Sequence, residues 1–165
     1  MRKTLLCLIL TVTALTACSD ADSKENYSID DAKAAGDVIA QHQVTTFDEI
    51  VQGAVEVDNL ENLIQLIDNV EQNNQDKVDI SIFDLDGSHS KNIISYDGKM
   101  ITFENNYGQY EQSPAGTFTC SYISQRGPIV YLSSCQAEDG TEHSTMIGFI
   151  GTEDAFREAR NATDD

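Results

Sequence analysis

Two cysteines set symmetrically about a turn constrain this chain more than any other feature. Cys120 and Cys135 lie on either side of Gly127-Pro128, which reads as the tip of a β-hairpin. If those two residues form the loop, strand residues whose numbers sum to 255 face one another, and 120 and 135 do so. Facing Cα atoms in an antiparallel pair are about 4.5 to 5.5 Å apart, inside the window that a disulfide accepts. A four-residue loop on the same centre keeps the pairing but exchanges the hydrogen-bonded and non-hydrogen-bonded classes, and both stay open at this point. Closing such a loop stabilises a fold by about 3 kcal/mol in the chain-entropy model. A redox-active role would call for Cys-x-x-Cys or basic neighbours that depress a thiol pKa, and these cysteines have neither.

A structural disulfide requires an oxidising compartment, and the N-terminus points to one. Arg2 and Lys3 precede an apolar run from Leu5 to Leu15 that is too short to span a bilayer as a stable helix. Leu15-Thr16-Ala17-Cys18 follows at once and resembles a bacterial lipobox. The resemblance implies cleavage of residues 1–17 as a lipoprotein signal peptide, with diacylglycerol, palmitate-like chains and all, on the Cys18 thiol. Two or three acyl chains hold a protein to a membrane where one does not, because each buried methylene contributes about 0.8 kcal/mol. Ser19 in place of Asp after that cysteine points to the outer membrane where the envelope has one, and otherwise to the outer face of the cell membrane. Residues 18–27 then comprise the acylated Cys18 and a polar tether, and 28–165 a single domain. Losing Arg2 and Lys3 leaves 8 basic against 28 acidic side chains, a formal charge of −20. Such a surface repels nucleic acid and anionic headgroups, so the partners expected are the membrane through the anchor and an unidentified protein or ligand.

Hydrophobic period organises the domain. Ser28 with Asp31 reads as a capping box for a short helix ended by Gly36. Val38-Ile39 and residues 49–57 suggest strands by β-branched content, with Gly53 a bulge. From Asn59 to Gln72, Leu60, Leu63, Ile64, Ile67 and Val70 form one helical stripe, with Asp58 and Glu61 at its start. Strands follow at 78–85, 89–96 and 99–104, with Asp86-Gly87 and Asp97-Gly98 as type I′ turns. Those turns set Ile80 opposite Ile93, Asp84 opposite His89, Ile94 opposite Ile101 and Lys91 opposite Glu104. A polar loop at 105–114, the cysteine hairpin, a strand at 141–150 and a terminal helix at 152–160 complete the reading. The expected class is α+β: an antiparallel sheet of five to seven strands, one main packed helix and a hairpin disulfide.

The stretch ISIFDLDGS, residues 80–88, resembles the first motif of haloacid-dehalogenase phosphatases, in which Asp84 would attack phosphorus and Asp86 handle protons. That motif needs a buried parallel strand followed by crossover helices. Here a hairpin follows, and Val78, Ile80 and Ile82 alternate with Asp79 and Ser81 as in a half-buried antiparallel strand. An EF-hand frame with Gly87 in the glycine position puts Ile82 and Ile93 where the terminal ligands belong, which leaves only loose calcium binding by Asp84 and Asp86 as an alternative. His42, His89 and His143 lack ligand spacing, and Tyr107, Tyr110, Tyr122 and Tyr131 suit a core rim or a contact surface. No catalytic residue, metal site or cofactor is expected.

In order, NLENLIQLIDNV (59–70), DKVDISIF (76–83), SYDGKMITFEN (95–105), TFTCSYI (117–123) and YLSSCQ (131–136) resemble the bacterial envelope lipoproteins grouped as domain of unknown function 4362. The likeness runs from about Gly36 to Gln136, with residues 43–57 an insertion, fewer lysines than usual, and nothing matched after Gly140. It implies location and fold, and supplies no activity. The functional expectation is a membrane-anchored, non-enzymatic binding or cell-surface accessory module; the alternative is a phosphatase acting through Asp84 and Asp86.

Overall fold

The computed structural model describes residues 27–163, so the leader, Cys18 and the tether as far as Asn26 lie outside the described residues. The elements in chain order are α1 (Ile29–Ala35), β1 (Val38–His42), α2 (Phe47–Val51), β2 (Val55–Asp58), α3 (Leu60–Glu71) and β3 (Asp76–Phe83). They continue with β4 (His89–Tyr96), β5 (Ile101–Asn105), β6 (Gly116–Arg126), β7 (Ile129–Ala137), β8 (Glu142–Ile150) and α4 (Glu153–Thr163). All eight strands form one sheet in the order β2-β1-β3-β4-β5-β6-β7-β8.

The α+β class holds, but the sheet is larger than five to seven strands and is mixed rather than antiparallel. β1 and β3 run parallel, Val38 beside Ile80 and Gln41 beside Phe83. A parallel pair needs cover on both faces. On the inner face Val38, Ala40, Ile80 and Ile82 join Leu63, Ile64 and Leu66 of α3 in the main core. On the outer face α1 lays Ala32 over Ile39 and Phe83, with Tyr27 and Ile29 at the margin. Serial capping produces α1 as expected: Ser28 and Asp31 form a reciprocal capping box, and Gly36 turns the chain at φ 78°.

The stripe on α3 is buried as its period demands, and Leu60, Leu63, Ile64, Leu66 and Ile67 enter the core. Each fully buried side chain of this kind contributes about 1.5 to 3 kcal/mol. α4 packs beside α3, seating Phe156 edge-on to Phe149 of β8. The expected Asp58–Glu61 cap does not form. Asn59 is the N-cap, in the left-handed region, and its amide donates to Asp37 O at 2.9 Å, while Asp58 pairs with Lys33 at 3.0 Å.

Residues 49–57 are a helix and a strand rather than one strand. Asp48 and Glu49 lie in the first turn of α2, where carboxylates suit the helix dipole, and Ile50 is buried beneath them. Gly53, at φ 105°, is a turn residue and not a bulge. The end of α2 approaches Pro128 and Thr152, and its Phe47 and Val51 share a hollow with Ile129 and Met146, so the two ends of the sheet curl toward each other around α3.

Both acidic turns differ from type I′. In the first, Gly87 donates to Asp84 O at 2.9 Å, Asp84 donates to Ser88 O at 2.9 Å, and only Gly87 has positive φ. Leu85-Asp86-Gly87 is therefore a three-residue loop with glycine in the bulge position. That single extra residue puts Ile80 opposite Asn92 and Phe83, not Asp84, opposite His89. In the second, Asp97 pairs with Met100 around Gly98-Lys99, with Gly98 at φ 95°. The cause is local: the Asp97 carboxylate accepts from the backbone N–H groups of Lys99 and Met100, each at 2.8 Å. Ile94 faces Phe103, Ile101 faces Tyr96 and Glu104 faces Ile93, a shift of two that leaves the core face unchanged.

The cysteine hairpin has the expected register, with Arg126 opposite Ile129 and Cys120 opposite Cys135. Their sulfurs are bonded, and the Cα atoms stand 3.9 Å apart. Ser134 beside them adopts φ 53°, and the ladder skips its pairing with Ser121.

Candidate functional site

Because β1 and β3 are parallel neighbours, their carboxyl ends lie side by side, the place where open sheets of this kind bind ligands. His42 ends β1, and Asp84 follows β3. The His42 Nδ1–H donates to Asp84 Oδ1 at 2.8 Å, and the Tyr107 hydroxyl donates to the same oxygen, also at 2.8 Å. On the far side of the ring the Tyr110 hydroxyl donates to Nε2 at 3.1 Å. An ionised carboxylate only accepts, so these partners fix the tautomer.

The expected polar loop at 105–114 delivers both phenols, and its own hydrogen bonds shape it into a cap. Asn105 donates from its amide to the carbonyls of Ser113 and Pro114, each at 2.9 Å. Asn92 Oδ1 accepts the backbone N–H groups of Asn106 at 2.7 Å and Tyr107 at 3.1 Å, and Ser113 Oγ donates to Ile147 O at 2.7 Å. Gly108 is required there: it has φ 62°, and a Cβ on it would stand 2.9 Å from that of Ala115. Burial, the Asp84 hydrogen bond and the Asp84 charge push the Tyr107 pKa up. Burial, with Tyr107 and Asp84 adding, raises that of Tyr110 well above the ordinary phenol. Both phenols therefore stay neutral and donate.

The arrangement is poorly suited to nucleophilic or acid–base chemistry. Tyr110 occupies the His42 nitrogen that would take a substrate proton, and the imidazole is buried. Asp84 Oδ1 already accepts two hydrogen bonds, and Oδ2 has a long one, 3.3 Å from Ser88 Oγ. Asp86 is exposed, and its carboxyl pKa is lowered by the Ser88 backbone N–H it accepts, the wrong direction for a general acid. One requirement of the phosphatase motif is nevertheless met, since Asp84 does follow a strand with a parallel neighbour. The element after it is the antiparallel β4 and not a crossover helix.

Beside this network lies a shallow groove of about 450 Å³. Tyr27, Ile29, Phe83 and Leu85 supply its apolar wall, and Gln41, Gln43 and Asp84 its polar rim. Leu85 is 60% exposed.

A second polar cluster sits on the outer face under α1. The buried Asp37 carboxylate accepts from Tyr27 Oη at 2.9 Å, Ser81 Oγ at 2.6 Å and Lys91 Nζ at 3.1 Å. His89 lies between the rings of Tyr27 and Phe83, 4.7 Å from each, with Nε2 3.0 Å from Ser81 Oγ. Serine, histidine and aspartate meet here in an order opposite to that of a hydrolase triad. The Ser81 hydroxyl points its proton at the aspartate, so the imidazole does not activate it. Burial lowers the His89 pKa against the pull of Asp37, with Lys91 adding to the fall. Burial also works to lower that of Lys91, but its bonds to Asp79 and Asp37 outweigh this and raise it.

The three histidines are thus held apart: His42 by Asp84, His89 by its aromatic stack, and His143 edge-on to Phe118 at 5.3 Å. Among the described residues no three His, Cys, Asp or Glu side chains converge on a metal position. Tyr107 and Tyr110 are buried in the network, Tyr122 is exposed on β6, and Tyr131 lies under the Arg126 guanidinium, so the four share no surface. Sequence patterns missed Asp37, Ser81 and Lys91 because their meeting depends on the outer face being covered by α1. No protein-family model, curated protein or solved structure matches the chain.

Proposed function

We propose that this chain is a lipid-anchored envelope protein, akin to the lipoproteins of domain of unknown function 4362, whose domain binds a partner without transforming it. The observation that carries the reading is that Tyr110 and Asp84 engage both His42 nitrogens and Tyr107 engages Asp84 Oδ1, which occupies the groups a catalyst would use and leaves a groove beside them. The lipobox-like Leu15-Thr16-Ala17-Cys18 supports the anchor, and Cys18 stands nine residues before Tyr27. Nine residues reach at most about 30 Å, which keeps the domain close to a membrane surface. Among the described residues no helix is long and apolar enough to cross a membrane.

Two measurements test the proposal. Clickable fatty acid should label the parent and not Cys18→Ser; equal label in both would remove the anchor. Purified protein should give no magnesium-dependent release of phosphate from an aryl phosphate. The parallel strand before Asp84 keeps a phosphatase as the second reading, and turnover abolished by Asp84→Asn would establish it in place of ours.

A further inference from the structure

We propose that the groove at the carboxyl ends of β1 and β3 receives a single basic side chain, lysine or arginine, from an extended partner polypeptide, with Asp84 as its counter-ion. The inference rests on the binding-module reading and names the chemistry of its ligand.

The groove has the two-part character of a long cationic side chain. Its wall is apolar, formed by Tyr27, Ile29, Phe83 and Leu85, and suits a methylene stem. At its rim stands one carboxylate, and among the described residues no lysine or arginine lines the hollow. That carboxylate is held for use from outside. His42 and Tyr107 bind Oδ1 and fix the plane of the group, and the side chain remains 22% exposed. Among the described residues Oδ2 has only the 3.3 Å bond from Ser88, an exposed hydroxyl free to rotate away. A charged donor at Oδ2 would make a shorter and stronger bond than that serine does.

Charge selects the sign of the occupant. The chain carries 28 acidic against 10 basic side chains, so its field draws cations in and turns anionic groups away. Size selects its form. A groove of about 450 Å³ is too small for a helix or a folded domain, but it admits one side chain with its neighbouring backbone. The amides of Gln41 and Gln43 on the rim offer donors and acceptors to such a backbone, which a free amine or a lipid headgroup lacks.

The test uses the acylated, ¹⁵N-labelled protein in uncharged alkyl-glucoside micelles. The probes are acetyl-Gly-Lys-Leu-Gly-amide and the same peptide acetylated on the lysine Nζ. The lysine peptide should shift the amide signals of Gln41, Gln43, Leu85 and Gly87. Acetylating the probe should weaken binding by about tenfold or more, and so should Asp84→Asn. Asp84 also holds His42 and Tyr107, so Gln43→Lys provides an independent arm: it places a cation at the exposed rim without touching a buried contact, and should weaken binding as much. Equal affinity for the two peptides, shifts elsewhere on the domain, or equal displacement by ethanolamine would each overturn the proposal. A partner captured equally by Gln43→Lys and parent protein would overturn the groove while leaving the binding module intact, whereas cleavage of the peptide would overturn the non-enzymatic reading itself.

Discussion

Tyr107 and Tyr110 each end in a hydroxyl that is committed as a donor, and this gives the domain a definite response to alkali. Their pKa values are raised in the fold above the ordinary 10.0, chiefly by burial. The raised value of Lys91 has the same sign. A raised group contributes stability that is complete below its unfolded pKa and lost as pH climbs through the folded one. Urea unfolding should therefore show constant stability from about pH 8 to 9.5 and a decline above about pH 10, and Tyr110→Phe should reduce the slope. That variant leaves His42 Nε2 unpaired and should cost about 1 to 3 kcal/mol at neutral pH. Asp84→Asn changes its standing altogether. An exposed strand-end residue facing His89, as the hairpin rule suggests, would tolerate the change. An acceptor for both His42 and Tyr107 does not, and a loss of about 1 to 3 kcal/mol in thermal or urea unfolding is expected.

At the scale of elements, local signals were legible and inter-element ones were not. Ser28, Asp31 and Gly36 spell out α1, and the Leu60 to Val70 stripe spells out α3, because capping and period act within one turn or two of chain. Register is another matter. Whether Asp86 or Leu85 begins the first loop changes the pairing by one residue, and one residue exchanges the faces of a strand. The parallel partnership of β1 with β3 lies across α2, β2 and α3, beyond the reach of any turn rule. Gly87 is where the turn itself can be probed. It holds φ 82°, and a Cβ there would meet nothing within 4 Å, so the cost of a side chain is purely backbone strain. Gly87→Val should lower stability by about 1 to 3 kcal/mol and Gly87→Asn by clearly less, since asparagine tolerates the left-handed region. Equal losses in circular-dichroism melts would show that the loop is not strained in this way.

Over the whole molecule the disulfide and the site differ in how far they could be foreseen. Cys120 and Cys135 share one hairpin, so arithmetic on the turn was enough. His42 and Asp84 are 42 residues apart, at the ends of strands whose adjacency no pattern announced, and Asp84 stood out for the motif-like, calcium and hairpin readings of its turn, not for its bond to His42. Reduction tests the larger scale. Opening the Cys120–Cys135 bond should remove about 3 kcal/mol by the chain-entropy account and lower Tm by several degrees. An unchanged Tm after complete reduction, verified by thiol alkylation, would mean that the hairpin is held by its ladder alone.

The point where the tether enters the fold has a mechanical consequence. Chain entering from the N-terminal side meets Tyr27, whose ring lies on His89 and whose hydroxyl is held by Asp37, before it reaches β1. If the chain is anchored as proposed, a pull on its N-terminal side loads that stack and hydrogen bond first, then the small contact of α1 with Ile39 and Phe83, and only afterwards the sheet. These contacts give way in series, as in peeling, whereas the strands behind them would have to shear together. Residues 27–37 fully stretched would span at most about 35 to 40 Å, well beyond the length of the folded segment. Pulled from that end, the domain yields first at α1, which acts as a shock absorber for the sheet behind it.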